Sequence, residues 1–274
     1  MNIYDQITQQ IVEAIERGVG AVQMPWHSKS SFPRNPVSGT SYQGINTLIL
    51  WATAETRQFT DNRWATYKQW REIGAQVRKA EKGTSILFYQ KLDREDDESP
   101  AFVARTFTVF NVAQVEGFQD KAPGAPIIPL SEVETFVKGT GARIDYGGDM
   151  AAYLHKDDRI VMPPRSAFFG TKHSTPTESF YSVLFHELTH WTGPKHRLNR
   201  DMGKRFGDQS YAMEELVAEL GAAFLCAEFG LSSSPREDHA SYIKNWLSVF
   251  KSDNRALFAA SGKAREAVKF MIRI

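Results

Sequence analysis

One five-residue string, H-E-x-x-H at 186–190, constrains this chain more than any other feature. On a helix, residues four apart stand one above the other, so the imidazoles of His186 and His190 project from one face. This spacing suits two nitrogen ligands of one zinc ion. Glu187, one residue after the first histidine, can take a proton from a water at such a metal. The string therefore predicts a metal site whose catalytic group is Glu187.

The flanking residues indicate that the string lies on a helix. Thr175 and Glu178 have the spacing of a capping box, and Pro176 suits a first helical turn. Gly193 followed by Pro194 is a stop signal. We therefore expect a helix of about four turns between Thr175 and Gly193.

The sequence offers two candidates for a third protein ligand of the metal. Gly193 and His196 extend the string to H-E-x-x-H-x-x-G-x-x-H, the pattern of the metzincins, in which the third histidine binds the metal. The rival is Glu215, in an apolar helical segment at 211–229. The sequence shows no obvious version of the methionine turn that metzincins place beneath the metal. We therefore favour Glu215, with His196 as the open alternative.

Helical geometry assigns roles to other polar residues of the same segment. Glu219 shares a face with Glu215, and a carboxylate in so apolar a helix is costly to ionise without a cation or hydrogen-bond donors. We expect Glu219 to accept the free N–H of a ligand imidazole. Glu214 points about 100° away and is interpreted as a solvated charge at the helix start. Tyr211 is the candidate electrophile for the oxyanion of a hydrolytic reaction.

Composition bounds the class of protein. The chain has 274 residues, of which 42% are hydrophobic and 24% charged, and its net charge of +1 names no partner. Its one cysteine, Cys226, cannot form an internal disulfide, so we expect a core residue in a reducing compartment. The N-terminal sequence lacks the pattern of a signal peptide, and no apolar run is long enough to span a membrane. We expect a cytoplasmic protein.

Periodicity and turn signals predict an α+β chain with two domains. A proline-rich segment at 119–130 is the candidate linker between domains at 1–118 and 131–274. The helices predicted besides 175–193 and 211–229 lie at 3–17, 42–56, 66–72, 131–138, 242–250 and 263–272, and the strands at 84–89 and 102–110. Two further short strands flank a turn at 155–158, and the later one, just before the metal helix, is a candidate edge for an extended peptide.

Local charge in the first region is uneven. Between Trp26 and Lys91 there are ten basic and four acidic residues, together with four of the six tryptophans. Cations that track phosphates and rings that stack on bases are what a groove for single-stranded nucleic acid requires. The competing interpretation places the rings in the core and the charges on a solvated face, and composition does not decide between them.

With these residues identified, the chain resembles the ArdC-type antirestriction proteins of conjugative plasmids along nearly its whole length. The matching stretches include NPVSGTSYQGINTLILW, RWATYKQWREIGAQVRKAEKGTSILFY, FYSVLFHELTHWTG and YAMEELVAELGAAFLCAEFG. The E-x-x-A-E string at 215–219 also looks like the E-x-x-A-D of related gluzincin-type peptidases, in which the first acid binds zinc. This similarity favours Glu215 over His196.

The resemblance implies an N-terminal domain that binds single-stranded DNA and a C-terminal zincin-like metallopeptidase domain. It implies Zn²⁺, or another divalent metal such as Mn²⁺, and protection of incoming plasmid DNA from restriction. The other partner would be a host restriction-modification protein or another protein substrate, with no membrane. The residues expected to contact DNA are Arg34, Tyr42, Trp64, Lys68, Trp70, Arg78 and Lys82.

Two other functions stay open at this point. The first is a purely DNA-binding protein that masks the strand and whose metal site is structural or vestigial. The second is a metal-dependent nuclease, which is disfavoured because nucleases usually hold hard cations by several carboxylates.

Overall fold

A computed structural model of the chain describes residues 3–18, 26, 31–92, 101–119, 130–170, 174–202, 209–233 and 239–273. These residues form two compact units, as the two-domain α+β prediction requires. The continuous unit comprises Pro33–Ala122, and the discontinuous unit comprises Met1–Phe32 with Pro123–Ile274. None of the described helices combines the length and apolar character that a membrane-spanning segment needs.

The first helix packs with the C-terminal part of the chain. Its stripe of Ile7, Ile11 and Ile15 is buried, and the hydroxyl of Thr8 donates to the backbone oxygen of Asn254 at 2.8 Å. By packing, therefore, this helix groups with the discontinuous unit, although it precedes the predicted linker by a hundred residues of sequence.

The continuous unit combines helices with two small antiparallel sheets. Its main sheet has the strand order β1 (Trp64–Thr66), β4 (Ala101–Asn111), β3 (Thr84–Leu92), and a second sheet pairs β2 (Gln76–Val77) with β5 (Val115–Glu116). The two strands predicted at 84–89 and 102–110 are confirmed as β3 and β4, which form an antiparallel hairpin in which Thr84 faces Val109 and Leu92 faces Ala101. The elements are α2 (Ile45–Arg57), β1 (Trp64–Thr66), α3 (Tyr67–Glu72), β2 (Gln76–Val77), β3 (Thr84–Leu92), β4 (Ala101–Asn111), a 3₁₀ turn (Val112–Gln114) and β5 (Val115–Glu116).

The discontinuous unit is mostly helical and has one three-stranded sheet. The strand order is β6 (Arg143–Tyr146), β8 (Arg159–Met162), β7 (Ala152–Leu154), with β6 parallel and β7 antiparallel to β8. The elements are α1 (Ile3–Gly18), α4 (Leu130–Gly139), β6 (Arg143–Tyr146), β7 (Ala152–Leu154), β8 (Arg159–Met162), a 3₁₀ turn (Arg165–Ala167), α5 (Pro176–Trp191), α6 (Gln209–Glu228), α7 (His239–Ser252) and α8 (Ala256–Arg273). The later strand of the predicted pair, β8, is central in this sheet, so the prediction of β8 as an edge is wrong. The edge strand that packs against α5 is β7.

The start of α5 follows the sequence prediction. The side chain of Thr175 accepts from the backbone N–H of Glu178, and the carboxylate of Glu178 accepts from the backbone N–H of Thr175 at 2.8 Å. Pro176 occupies the first turn. The capping box therefore fixes where the helix begins and, through the 3.6-residue period, which side chains face α6.

One buried side chain protects the outer edge of β3 in the continuous unit. Asn46, on α2, donates from its amide nitrogen to the Leu87 oxygen at 2.6 Å and accepts from the Leu87 nitrogen at 2.9 Å. Both edge groups of Leu87 are thus satisfied by α2 rather than by solvent or another strand.

We expect Asn46→Ala to lower the free energy of unfolding of the continuous unit by about 1 to 3 kcal/mol, because two buried backbone groups lose their partners. Urea denaturation and the exchange rate of the Leu87 amide measure the effect. Ser38→Ala, which removes only two exposed hydrogen bonds to Thr40, is the control and should change stability by less than about 0.5 kcal/mol. An unchanged Leu87 exchange rate in Asn46→Ala would contradict this assignment.

Candidate metal centre

The packing of α5 against α6 brings three candidate ligands together. Nε2 of His186 lies 3.1 Å from Nε2 of His190. The two carboxylate oxygens of Glu215 each lie 3.4 Å from one of these nitrogens. One ligand atom from each residue falls within 4.8 Å of the others. The side chains of His186, His190 and Glu215 are only 2%, 12% and 10% exposed.

The donor set fits a zinc-type ion. Ligands about 2.0 to 2.1 Å from a tetrahedral ion lie about 3.3 Å from one another. The observed separations of 3.1 and 3.4 Å match this spacing. Two imidazole nitrogens with one carboxylate also form the ligand set of zinc hydrolases that keep a fourth position for water or substrate. The chain therefore has a His-His-Glu metal site.

The alternative third ligand, His196, lies elsewhere. Its side chain is 61% exposed, and its Nε2 lies 3.2 Å from Oδ2 of Asp158. The loop after α5 turns His196 toward the turn between β7 and β8, so the metzincin interpretation of the longer string is wrong.

Glu214 corrects a second prediction. It is buried rather than solvated, and its carboxylate lies 3.2 Å from Nδ1 of His190. Arg200 donates to both oxygens of Glu214, at 3.0 and 2.7 Å, and its own side chain is only 4% exposed. Glu214 thus orients the imidazole of His190 from behind, while Arg200 supplies the compensating positive charge.

Glu219 lies on the outer side of the other histidine. Its Oε2 is 3.9 Å from Nδ1 of His186, which exceeds a hydrogen bond, and among the described residues this nitrogen has no hydrogen-bond partner. Oε1 of Glu219 accepts from the indole N–H of Trp26 at 3.2 Å. A hydrogen bond from Nδ1–H of His186 to Glu219 therefore remains a proposal. It requires a small shift of one of the two side chains.

The buried charges shift one another's protonation. Burial alone would lower the pKa of His190, but hydrogen bonds and charges from Glu214 and Glu215 outweigh it and raise that pKa to about 10. Burial alone would raise the pKa of Glu215, but contacts with His186 and His190 bring it far below its usual range. In the metal-free protein the pocket therefore pairs an imidazolium with carboxylates.

The backbone of the edge strand holds Glu187. The N–H of Tyr153, in β7, donates to Oε2 of Glu187 at 2.8 Å, and the Glu187 side chain is buried. Tyr153 is itself fixed, because its hydroxyl donates to Asp158 at 2.7 Å and accepts from Arg197 at 3.1 Å. Arg197 packs over the ring of Trp191 at 4.2 Å. This network joins the turn before β8 to the end of α5 and positions Glu187.

His155 is a residue near the centre that spacing did not identify. Partial burial, and the positive charge of His190, lower its pKa. Its ring lies edge-on to Tyr153 with centroids 4.8 Å apart. The turn between β7 and β8 brings it there, so no short-range sequence pattern could indicate its position.

Close approach of the two helices depends on Gly221. A Cβ atom at this position would lie 2.5 Å from Oγ1 of Thr189, on α5. Thr189 is fully buried and its hydroxyl donates to the Phe185 oxygen at 2.8 Å. Any larger residue at 221 would push α6, which carries Glu215, away from the two histidines.

The predicted DNA contacts divide into buried rings and exposed cations. The rings of Tyr42, Trp64 and Trp70 are buried, and the Tyr42 hydroxyl donates to the Trp64 oxygen at 2.9 Å. A buried ring cannot stack on a base, so direct stacking by these three residues is contradicted by the structure. Lys68 and Lys82 are exposed.

The two predicted arginines have different environments. Arg78 is exposed, but its guanidinium already donates to the Ala113 oxygen and pairs with Glu81 at 2.7 Å. Arg34 is half-buried and lines a cavity of the continuous unit. Rings that the prediction overlooked are exposed instead: Tyr67 is 44%, Phe88 47% and Phe107 43% exposed.

Known proteins resemble both parts of the chain. A family model described as the N-terminal domain of anti-restriction factor ArdC matches residues 1–119, and one described as a zincin-like metallopeptidase matches residues 131–263. Two crystal structures of antirestriction protein ArdC from the R388 plasmid cover 100% of this chain. The metal-free form matches with a TM-score of 0.82 at 34% identity over 97% of its length, and the Mn(II)-bound form with 0.80 at 35% identity over 98%.

Relatives by sequence include one protein of similar length and two much longer ones. The uncharacterized protein y4eC of Sinorhizobium fredii is 40% identical over 98% of this chain and 91% of its own length. DNA primase TraC of Escherichia coli is 31% identical over 98% of this chain, which spans only 20% of one primase and 27% of another.

We expect Glu214→Gln to weaken zinc affinity by about 10- to 100-fold, because His190 loses its charged acceptor and Arg200 loses its counter-ion. Competition with a chromophoric chelator measures the affinity. Glu228→Gln, an exposed glutamate at the end of α6, is the matched control and should bind zinc as the parent does. Equal affinity of parent and Glu214→Gln would show that Glu214 does not support the site.

Metal affinity should rise with pH. His190 must be neutral to bind a metal, yet its raised pKa keeps it protonated in the metal-free protein at neutral pH. We expect binding to expel about one proton and the affinity to rise up to about tenfold per pH unit between about pH 7 and 10. Titration calorimetry in two buffers of different ionisation enthalpy counts the protons. An affinity that does not change over this range would contradict the assigned protonation.

Proposed function

The chain belongs to the ArdC family of antirestriction proteins, and from this premise we propose that it is a cytoplasmic protein with two activities. The continuous unit binds single-stranded DNA, and the metal centre of the discontinuous unit hydrolyses a peptide bond. Together they protect incoming plasmid DNA from restriction. The observation that carries the peptidase proposal is the convergence of His186, His190 and Glu215, together with the burial of Glu187, the residue that follows the first histidine.

The residues of the centre have separate chemical tasks. His186, His190 and Glu215 hold the ion, Zn²⁺ or another divalent metal such as Mn²⁺. When bound, the ion acidifies a water and polarises the carbonyl of the substrate. Glu187 takes the proton of the attacking water and gives it to the nitrogen of the leaving amine. Tyr153 orients Glu187 through its backbone N–H.

The edge strand supports a peptide as substrate. β7 lies at the edge of its sheet and packs against the metal helix. An extended peptide that pairs with such an edge presents its backbone at a fixed depth to the neighbouring helix. The substrate proposed here is an exposed segment of a host restriction-modification protein.

Exposed cations and rings support DNA binding by the continuous unit. Lys68 and Lys82 can neutralise phosphates, and Phe88 forms an exposed edge-on pair with Phe107 at 5.2 Å between centroids. Arg105 faces Phe88 across the hairpin. Rings and cations on one exposed strand pair suit the backbone and bases of a single strand.

A second candidate function is DNA masking without proteolysis. The R388 ArdC protein has been crystallised without metal and with Mn(II), and this chain is similar to both forms. If the fold does not need the ion, the metal site either serves catalysis or has no function. The masking function requires only the DNA-binding surface and predicts that Glu187 is dispensable.

We expect Glu187→Gln to retain stoichiometric zinc and single-stranded DNA affinity while peptide hydrolysis falls by at least about 100-fold, because the general base is lost. Metal analysis, anisotropy with a labelled oligonucleotide, and cleavage of a purified restriction enzyme of the recipient measure the three properties. Glu228→Gln is again the control.

A mating assay with the same variants separates the two functions. If Glu187→Gln no longer protects the transferred plasmid, proteolysis is required. Full protection by Glu187→Gln would instead establish masking and refute the peptidase role.

A further inference from the structure

The continuous unit contains a cavity that lies outside the DNA contacts proposed above. Its volume is about 790 Å³, and ten residues line it. Two of them are the arginines Arg34 and Arg63, and none of the ten is acidic. A cavity of this size with convergent cations and no carboxylate suits a small anionic ligand or part of a larger one.

Arg34 can still bind a ligand. Its backbone is fixed, because its N–H donates to the Asn62 oxygen at 2.8 Å and its oxygen accepts from the Trp64 nitrogen at 2.9 Å. Across the part of the chain that the structure describes, its guanidinium has no hydrogen-bond or ion-pair partner. The guanidinium is half-buried, is carried by a fixed backbone and is not paired with any described residue. Such a group is well placed to bind a phosphate.

Phe118 supplies an aromatic surface in the same cavity. Its ring packs edge-on against the buried Trp70, with centroids 5.3 Å apart, and belongs to the border of the hydrophobic cluster around Trp70. Arg63 lies over this ring at 5.0 Å and is held there by Asp61 at 2.6 Å. The core therefore fixes the ring, and a planar guanidinium lies near it.

Bare backbone forms another part of the lining. Gly74 and Gly117 have φ values of 81° and 76°, a region that favours glycine. A Cβ on Gly117 would lie 3.3 Å from the Gly74 oxygen. These positions leave the backbone open to close approach by a flat ligand.

We propose that this cavity receives one unstacked base of a DNA strand, against the ring of Phe118, with a neighbouring phosphate on Arg34. The inference rests on the proposed binding of single-stranded DNA and adds where one base is held. A base in a duplex must first leave its pair and its stack, whereas a base in a single strand is already available. The cavity therefore predicts a preference for single strands over duplex.

The experiment uses the full chain and two fluorescent probes, a short oligothymidine and a duplex of equal length, in anisotropy titrations over a salt series. We expect Phe118→Leu to weaken single-strand affinity by about tenfold, since stacking on one base is lost. Duplex affinity should not change. Phe118→Tyr, which keeps the ring, should retain the parental affinity for both probes.

Arg34→Ala tests the phosphate contact, and among the described residues the substitution breaks no hydrogen bond or ion pair of the guanidinium. We expect weaker single-strand binding and a salt slope that is shallower by about 0.7. Lys79→Ala removes an exposed cation of the same unit outside the cavity and should leave the preference for single strands unchanged. Thermal unfolding of each variant shows that the comparison is between folded proteins.

Phe88→Leu tests the rival surface on the β3–β4 hairpin. If it abolishes the single-strand preference while Phe118→Leu and Arg34→Ala keep it, bases stack on the hairpin and the cavity proposal is wrong, although DNA binding stands. If the parent shows no salt-dependent affinity for oligothymidine, the proposed function itself fails. Loss of preference in Phe118→Leu with rescue by Phe118→Tyr supports the cavity.

Discussion

The burial of four glutamates between and around two apolar helices is the constraint on which the discontinuous unit depends. Glu187, Glu214, Glu215 and Glu219 are all buried, and a buried carboxylate without a partner is strongly destabilising. Each carboxylate has a different partner. Glu187 accepts from a backbone N–H, Glu214 from Arg200 and Glu219 from an indole N–H, and Glu215 lies against two imidazoles. A divalent cation held by these groups would supply positive charge where the carboxylates are most concentrated.

Only part of the metal centre could be predicted from the sequence. The histidines, Glu187 and the capping of α5 follow from short spacings on one helix, where the 3.6-residue period fixes relative directions. The prediction that Glu214 is solvated is wrong because the loop after α5 places Arg200 against the face of α6 on which Glu214 lies. No spacing within α6 could indicate this contact. His155 was missed for the same reason, since a turn between two strands places it near His190.

The continuous unit shows a different limit of sequence analysis. A window rich in basic and aromatic residues predicted a nucleic-acid surface, but composition cannot tell a ring in the core from a ring in solvent. Tryptophan is large and apolar, and the folded chain buries Trp51, Trp64 and Trp70 completely. The predicted strands were right because alternation and turn residues are local signals, whereas the exposure of Phe88 and Phe107 depends on which sheet face the rest of the unit covers.

Gly221 shows how a residue without reactive chemistry can limit the evolution of a reactive centre. The space for a Cβ at 221 is filled by Thr189, whose nearest atom would lie at 2.5 Å. The distance between α5 and α6, which carry the metal ligands, is therefore limited by Gly221 on α6 and Thr189 on α5. A lineage that exchanged this glycine for any larger residue would have to compensate at position 189 at the same time, even though neither residue is one of the three metal-ligand residues.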